Sequence, residues 1–453
     1  MLDSINPTTN ELIKTYKSFS DAEIETTIEA ADNAFPQWHE ISVRERGIFL
    51  NRIAGILRND INLLSELISL EMGKPITESR KEIEKCAWVC EYYAGSAEGF
   101  LEPERIKSEA RDSYVIFQPL GVILAIMPWN FPFWQVFRFA AAALAAGNTC
   151  ILKHASNVSG CALAIEEVFK KAGAPEDIFR VILAGSDRMQ QVIQHKKIKA
   201  VTLTGSTHAG RTVSAAAGEV LKKTVLELGG SDPYLVLHDA DLEHAANICV
   251  SSRMINSGQS CIAAKRFIVD RRIQADFEGM VVELMDQYKP GDPMLEYTRL
   301  GPMARHGLRD ALHKQVQLSI DKGAHCLLGG KIPEGKGAFY PATVLSGVKP
   351  GSPAYSEELF GPVASIIPAR DEEDAVRLAN DTDYGLGAAI FTRDLDKAAR
   401  LAAKLEAGCC FVNDLVRSDP RLPFGGIKDS GYGRELSHYG IKEFVNIKTV
   451  YIA

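Results

Sequence analysis

Short apolar runs alternate with stretches of helical periodicity over most of the chain after residue 112. A first series predicts strands at 122–127, 150–153, 179–183, 200–203 and 224–228, with helices between them. A second series predicts strands at 235–237, 267–269, 326–329, 364–367, 388–391 and 409–412. Strands that alternate with helices are typical of parallel sheets covered on both faces, so the pattern predicts an α/β fold.

The chain before residue 113 has a different pattern. Residues 1–20 are polar and rich in turn residues, and Ser20 with Glu23 forms a capping-box pattern that opens a first helix. Two further helices are predicted over 43–71 and 77–100. Residues 113–118 alternate like a half-exposed strand, and residues 445–451 predict a final strand with an exposed edge.

Composition is typical of a soluble globular protein with more than one domain. The chain has 453 residues, of which 46% are hydrophobic and 24% charged, and its formal net charge is -7. This negative charge argues against nucleic acid as the main partner. The start has no signal-like segment, and the longest apolar run, 137–146, is interrupted by Arg138 and too short for a bilayer. We therefore expect a cytoplasmic protein with no membrane partner.

Cysteine and histidine usage predicts neither a disulfide framework nor a metal site. The nine cysteines contain no CxxC pair, and the ten histidines have no metal-ligand spacing. One cysteine, Cys261, ends the sequence Asn-Ser-Gly-Gln-Ser-Cys at 256–261. Because a cysteine thiolate attacks electrophilic carbon, Cys261 is a candidate nucleophile, and the alternative is a free cysteine that fills a core.

Residues that follow the predicted strands are the other candidates for chemistry, because ligands of parallel α/β sheets bind at the carboxyl ends of the strands. Asn130, Lys153 and Glu227 stand at such positions. An amide stabilises an oxyanion, an ammonium binds ribose hydroxyls or phosphate, and a carboxylate acts as a general base. Gly205 and Ser206 open a helix, where an anion is favoured. Some of these residues also have a purely structural explanation. Asn130 can be a turn asparagine, Glu227 a solvated charge at a strand end, and Gly205 with Ser206 a tight turn.

These positions belong to a set of motifs through which the chain resembles the aldehyde dehydrogenase superfamily over essentially its whole length. The motifs occur in the family's order and spacing, including the interval between Glu227 and Cys261. They are Pro128-Trp129-Asn130-Phe131-Pro132, Lys153, Gly205-Ser206-Thr207-x-x-Gly210, Leu226-Glu227-Leu228-Gly229-Gly230, Gly258-Gln259-x-Cys261, Glu357-Glu358-x-Phe360-Gly361-Pro362, Pro423-Phe424-Gly425-Gly426 and Gly433-Arg434-Glu435-Leu436.

The resemblance implies three structural parts. They are a Rossmann-like domain that binds NAD(P), formed by 1–100 and 120–229, an α/β catalytic domain, 230–428, and a small β bridging element, 101–119 with 443–453. Members of the family use the bridging element to form dimers or tetramers, so a homodimer or homotetramer is expected.

For catalysis, the resemblance implies that Cys261 attacks an aldehyde carbon, while the Asn130 amide and the Cys261 backbone N–H bind the oxyanion. Hydride then leaves to a nicotinamide, and Glu227 activates the water that hydrolyses the thioester. Glu435 matches a second glutamate of the family that supports proton movement.

For the cofactor, the resemblance assigns Lys153 to the adenine ribose, Ser206 to the pyrophosphate and Glu358 to the nicotinamide ribose, with Phe360 beside that ring. The remaining expected cofactor contacts are Trp129, Gly205 and Leu228. Ser156 stands where NAD-preferring members often carry a glutamate, and a serine does not repel a 2′-phosphate. We therefore expect NAD as the cofactor, with NADP tolerated.

For the substrate, the details around 126–132 and 153–157 are most similar to bacterial succinate-semialdehyde dehydrogenases. Arg138 matches an arginine that binds the distal carboxylate of that substrate, and Ser418 matches a serine that assists it. The other expected substrate contacts are Trp134 and Ser260. A second substrate arginine of that group is replaced by Ile255.

Three alternatives stay open on the sequence. The first is a broad-specificity aliphatic or aromatic aldehyde dehydrogenase. The second is a thioester-forming acyltransferase that uses coenzyme A, which the presence of Glu227 disfavours. The third is a catalytically silent structural or binding protein of the same fold.

Overall fold

The computed structural model describes residues 1–173 and 175–453. The N-terminal part is a hairpin, β1 (Leu2–Ile5) and β2 (Leu12–Tyr16), followed by the helices α1 (Asp21–Glu40), α2 (Val43–Asn59), α3 (Ile61–Met72) and α4 (Ile76–Phe100). The predicted capping box is present, since the Ser20 hydroxyl accepts the Glu23 N–H and the Glu23 carboxylate accepts the Ser20 N–H. The sequence pattern missed the hairpin because four of the five β2 residues are exposed and show no apolar alternation.

The helix predicted over 43–71 is wrong in one respect, because the segment forms two helices that meet at Asp60. The Asp60 N–H still bonds to the Ile56 carbonyl at 2.9 Å, while its side chain accepts from Lys171 Nζ at 2.9 Å. Asparagine and aspartate compete with the backbone for hydrogen bonds, so the pair Asn59-Asp60 accounts for the break.

The predicted α/β fold is confirmed by two large sheets with helices around them. The first half supplies β3 (Glu104–Arg105), β4 (Asp112–Pro119), β5 (Val122–Met127), α5 (Trp134–Ala145), β6 (Thr149–His154), α6 (Ser159–Lys171), β7 (Phe179–Val181), α7 (Met189–Gln194), β8 (Ile198–Thr204), α8 (Thr207–Gly218) and β9 (Lys223–Glu227). Strands β5 to β9 pair in parallel, in the order β9-β8-β5-β6-β7. Parallel pairing brings their carboxyl ends to one edge of the sheet.

The second half supplies the larger sheet. The elements of this half of the chain are β10 (Pro233–Val236), α9 (Leu242–Met254), β11 (Arg266–Asp270), α10 (Gln274–Asp286), α11 (His306–Asp321), β12 (His325–Leu328), β13 (Thr343–Ser346), α12 (Pro353–Ser356), β14 (Val363–Ala369), α13 (Glu372–Asn380), β15 (Tyr384–Gly385), β16 (Gly387–Phe391), α14 (Leu395–Ala402) and β17 (Cys409–Val412). All of these strands except β15 belong to the larger sheet. The order is β12-β13-β14-β11-β10-β16-β17, and only the β12–β13 pair is antiparallel. The sequence pattern did not predict α11 or β13.

The C-terminal segment returns to the other sheets. It consists of β18 (Ile427–Lys428), β19 (Gly431–Tyr432), α15 (Ser437–Ile441) and β20 (Val445–Ile452). Strand β19 joins the first sheet beside β9, and β20 pairs along the whole of β4 in a separate antiparallel sheet, β20-β4-β3. Strand β20 is an edge strand of this sheet, and its residues Ile447 and Tyr451 are 62% and 58% accessible.

We propose that these three sheets mark the cofactor, catalytic and bridging parts, with the boundaries expected from the sequence. The helices formed by residues 1–173 and 175–453 include none with the length and apolar character of a membrane span.

A buried glutamate of α4 holds the beginning of α5. One Glu82 oxygen accepts the backbone N–H groups of Phe133 and Trp134 at 2.9 and 3.0 Å, and the other pairs with the Lys74 ammonium. The first N–H groups of a helix lack intrahelical acceptors, and the helix dipole favours a carboxylate there. The Lys74 and Glu82 side chains are 0% and 1% exposed, so this contact couples α4 and α5 inside the protein.

We expect Glu82→Ala to lower the thermal unfolding midpoint clearly, because it leaves the Lys74 ammonium and two backbone N–H groups buried without their acceptor. Breaking a buried ion pair costs about 3–5 kcal/mol. The matched control is Glu98→Ala on the exposed side of the same helix, where the expected change is within about 0.5 kcal/mol. Scanning fluorimetry measures both midpoints, and equal midpoints for the two variants would contradict the anchoring of α5.

Candidate active site

Two cavities share Cys261 in their lining. The first, here called the helix cavity, has a volume of about 330 Å³ and is lined mainly by α4, α5 and the loop 415–418. The second, here called the strand-end cavity, has a volume of about 350 Å³ and lies where β5, β8 and β9 end. Ligands in either cavity can therefore contact the same side chain.

The two cavities separate the predicted substrate residues from the predicted cofactor residues. The helix cavity is lined by all four predicted substrate contacts, which are Trp134, Arg138, Ser260 and Ser418. The strand-end cavity is lined by Trp129, Asn130, Gly205, Ser206, Leu228, Glu358 and Phe360. Four predicted residues line neither of these two cavities, namely Lys153, Ser156, Glu227 and Glu435.

The backbone before Cys261 is a strained turn. Asn256, Ser257 and Gly258 have φ values of 53°, 54° and 75°, which lie in the left-handed region. A Cβ on Gly258 would lie 2.3 Å from the Gly361 carbonyl, so only glycine fits there. Two non-glycine residues in this region cost energy, and such strain persists only where the surroundings hold it.

Hydrogen bonds from distant segments hold this turn. The Asn256 N–H donates to Glu78 Oε2 at 2.6 Å, and its side-chain amide donates to the Asn130 carbonyl at 2.7 Å. The Ser257 hydroxyl accepts the Gly301 N–H at 3.0 Å. The turn thus connects α4, the β5–α5 connection and the segment that carries Cys261.

Two N–H donors, the Asn130 side-chain amide and the Cys261 backbone, belong to residues that line the strand-end cavity. Asn130 Nδ2 donates one hydrogen to the Gln259 carbonyl at 3.1 Å, which leaves its second hydrogen free. Within the described residues, no protein acceptor takes the Cys261 backbone N–H. Because both residues line the strand-end cavity, the pair forms an arrangement suited to an oxyanion on carbon bonded to sulfur.

Burial favours the protonated form of the Cys261 thiol. Burial raises its pKa to about 12, and the positive charges of Lys265 and Arg138 oppose that shift only in part. Lys265 Nζ donates to the Cys261 carbonyl at 2.7 Å and to the Ser260 carbonyl at 2.9 Å. Since only the thiolate is nucleophilic, a base has to remove this proton during reaction.

Glu227 is suited to be such a base. It ends β9, is 2% exposed, and neither of its carboxyl oxygens has a hydrogen-bond partner within the described residues. Burial raises its pKa to about 8, while the Arg138 charge lowers it and the Glu435 charge raises it. A Cβ on Gly425 would lie 2.7 Å from Glu227 Oε1, so glycine leaves room for the carboxyl. A carboxyl that titrates near neutral pH exchanges protons readily.

Arg138 and Glu435 form a buried ion pair, with side chains 2% and 3% exposed. Arg138 Nη2 also donates to Thr204 Oγ1 at 3.3 Å, and its guanidinium carbon lies 4.9 Å from the centre of the Phe424 ring. The sequence assigned Arg138 to the substrate and Glu435 to proton movement, without relating the two. Their contact makes Arg138 a neighbour of both the helix cavity and the buried carboxyls.

The remaining predicted cofactor residues stand at strand and helix ends. Lys153 lies near the end of β6, opposite Ile126 of β5, and burial lowers its pKa. Ser156 begins a short 3-10 helix, Ser156–Val158, and Ser206 caps α8 by accepting the Ala209 N–H at 3.3 Å.

The sequence missed the contribution of α4 to the site. Its residues Glu78, Lys81, Glu82 and Lys85 all line the helix cavity. Locally they look like the charged face of a surface helix, and no motif distinguishes them. Only the packing of α4 against α5 brings them to the cavity.

Comparisons with known proteins agree with this geometry. The family model described as "Aldehyde dehydrogenase family" matches residues 1–450. A Synechocystis protein named probable succinate-semialdehyde dehydrogenase, NADP(+), is 46% identical over 450 residues, which is 99% of each chain. An Escherichia coli protein named succinate semialdehyde dehydrogenase, NAD(P)+, is 47% identical over 448 residues, 99% of this chain and 97% of its own.

A solved structure gives the same result. The succinic semialdehyde dehydrogenase from Streptococcus pyogenes, in complex with NADP+ as the cofactor, superposes with a TM-score of 0.98 at 38% identity and covers 100% of both chains. With the motifs, the fold and the match over residues 1–450 in agreement, the chain belongs to the aldehyde dehydrogenase family.

Proposed function

We propose that this protein oxidises succinate semialdehyde to succinate, with NADP or NAD as the hydride acceptor. The observation that carries the proposal is the lining of the helix cavity, where the cationic Arg138 and the Ser418 hydroxyl share one space with Cys261. An arginine fork pairs with a carboxylate, and a thiol attacks an aldehyde, so the cavity suits a molecule with both groups. The names of the Synechocystis and Escherichia coli relatives support the same substrate.

The strand-end cavity fits a nicotinamide dinucleotide. Helix α8 begins at its edge with Ser206 as the cap, and the free N–H groups of a helix start favour phosphate. Glu358 also lines this cavity, and its Oε1 is held by the Gly230 N–H at 3.1 Å and by Lys265 at 3.3 Å, so its second oxygen is free for a ribose hydroxyl. When bound, the nicotinamide accepts the hydride that leaves the substrate carbon.

The lack of a carboxylate at Ser156 favours acceptance of a 2′-phosphate. Lys153 stands nearby as a buried cation without an ion-pair partner among the described residues, and a phosphate would supply the missing charge. The bound NADP+ of the Streptococcus pyogenes relative is consistent with this assignment.

In the proposed reaction, Cys261 sulfur adds to the aldehyde carbon after its proton passes to a base, and the Asn130 amide and Cys261 N–H stabilise the oxyanion. Loss of hydride leaves a thioester on Cys261. Glu227 then takes a proton from the attacking water, the carbon–sulfur bond breaks and the acid is released. The sulfur leaves as a thiolate, and the proton held by Glu227 can return it to the thiol. The same two donors serve both tetrahedral stages, which is why one oxyanion site suffices.

We further propose that copies of this chain associate through the exposed edge of β20. Unpaired N–H and C=O groups along such an edge form a template for a strand of another copy. The exposed apolar side chains of Ile447 and Tyr451 support this assignment.

The substrate assignment is tested with succinate semialdehyde against butanal, which has the same chain length and no carboxylate. We expect a much lower KM for succinate semialdehyde. Arg138→Met should raise that KM at least about 30-fold, because losing one partner of a buried charge pair costs about 2 kcal/mol or more. The KM for butanal should change little, although kcat falls for both since Arg138 lies against the buried carboxyls.

Steady-state formation of reduced nicotinamide measures these constants. Equal changes in the two KM values would favour a broad-specificity enzyme. Product analysis with and without coenzyme A covers the acyltransferase alternative, and we expect free succinate in both cases.

The role of Glu227 predicts a specific pH dependence. Because the carboxylate is the base and its pKa is about 8, thioester hydrolysis should rise with pH up to about 8 and level off above it. Glu227→Gln should lower the hydrolysis rate by a factor of about 10²–10⁴ and remove this limb of the profile. Rapid-mixing measurements separate the first turnover from the steady state. A Glu227→Gln variant that keeps the wild-type pH profile would exclude Glu227 as the base.

A further inference from the structure

The helix cavity contains a second cation that no motif identified, Lys85 of α4. Its ammonium donates to Ser418 Oγ at 2.8 Å and lies 4.2 Å from the centre of the Trp134 ring. Both of these neighbours are uncharged. Lysines are rarely taken from water without a paired carboxylate, so the surroundings of this half-buried side chain need an explanation.

The acidic groups near Lys85 are bound to other cations. Glu82, one turn earlier on α4, pairs with Lys74, and Asp419 pairs with Arg421 at 2.6 Å. Among the described residues, no carboxylate lies within ion-pair distance of Lys85 Nζ. Within the described residues Lys85 therefore has no direct ion-pair partner, although the more distant charges of Glu82 and Asp419 favour its charged form.

Arg138 faces the same cavity and adds a like charge. Burial, and next the charge of Arg138, lower the pKa of Lys85 to about 8. Two cations on one cavity repel each other, and an anion between them relieves both the repulsion and the loss of solvation.

The Ser418 hydroxyl completes the arrangement. Its oxygen accepts the hydrogen bond from Lys85, and within the described residues its own hydrogen has no acceptor. A hydroxyl can accept and donate at once, so Ser418 stays available as a donor to an oxygen in the cavity. Lys85, Ser418 and Arg138 thus present donors to a space that also contains Cys261.

We propose that Lys85 is a carboxylate-binding residue of the helix cavity, where its ammonium, the Ser418 hydroxyl and the Arg138 guanidinium together bind the end of the substrate remote from the aldehyde. This inference rests on the proposed function and adds a specificity-determining residue to it. Because Arg138 is engaged with Glu435, Lys85 is the cation with the greater freedom to contact the substrate.

Charge on Lys85 makes recognition dependent on pH. The charged or titratable groups around it are Glu78, Lys81, Glu82 and Cys86 of α4, Arg138 of α5, Cys261, and Arg417 and Asp419 of the facing loop. Below about pH 8 the ammonium is charged and binds the carboxylate, and above that value it loses its proton. The KM ratio of succinate semialdehyde to butanal should therefore rise above pH 8 and level off about 10–100-fold higher, since Arg138 and Ser418 still bind the carboxylate after Lys85 has lost its proton.

The test compares Lys85→Met, Lys85→Arg and a matched control, Lys196→Met, which removes the same charge from an exposed position outside both cavities. Methionine keeps the length of the apolar stem beside Trp134. We expect Lys85→Met to raise the KM for succinate semialdehyde and the inhibition constant of succinate by about 10–100-fold, with the KM for butanal within about twofold. Lys196→Met should leave all three unchanged.

Lys85→Arg separates charge from packing. Arginine keeps its proton at every pH used. This variant should therefore retain much of the preference for succinate semialdehyde over butanal, and that preference should no longer decline above pH 8. A pH-dependent ratio that persists in Lys85→Arg would overturn the proposal. Lys81, an exposed residue, lines the same cavity. A larger rise in the KM for succinate semialdehyde from Lys81→Met than from Lys85→Met would also overturn the proposal.

Failure of the inference differs from failure of the proposed function. If the wild-type protein does not prefer succinate semialdehyde to butanal, the proposed function is wrong. If it does, and Lys85→Met raises the two KM values equally, the substrate assignment stands and Lys85 has only a packing role.

Discussion

The ion pair between Arg138 and Glu435 is the contact on which the candidate active site depends. The Arg138 guanidinium is almost completely removed from water, and it lies among side chains that can gain or lose a proton. Its charge opposes the rise that burial causes in the pKa of Glu227, Glu435 and Cys261, and it adds to the lowering that burial causes in the pKa of Lys85. Removing it would therefore change several protonation states at once, and effects of substitutions around it should not add.

The position of Arg138 follows from how α5 is held. The helix begins on Glu82, which accepts two of its first N–H groups, and Glu82 is itself paired with Lys74. Four residues after Trp134, Arg138 lies on the side of α5 that reaches both the helix cavity and the buried carboxyls. A buried charge is costly unless it is paired, so each of these groups restricts its neighbours to one arrangement.

Much of the fold and of the site was predictable because local patterns carried the information. The strands β5, β6, β8 and β9 are short apolar runs, and the residues at their ends had to meet at one edge once the sheet was parallel. The hairpin at the N-terminus was not predictable, since its strands are mostly exposed and lack alternation. The break at Asp60 depends on a balance of hydrogen bonds that periodicity does not record.

The sequence by itself determined the family and the α/β architecture, because the motifs keep their order and spacing along the chain. It also predicted which cysteine, amide and carboxylates are expected to act. Only the tertiary structure decided which charges meet. It paired Arg138 with Glu435, placed Lys85 of α4 in the lining of the helix cavity, and brought Cys261 into the lining of both cavities. The physical reason is that electrostatic interactions depend on distance and burial, and residues far apart in the chain acquire both only when the helices and sheets pack.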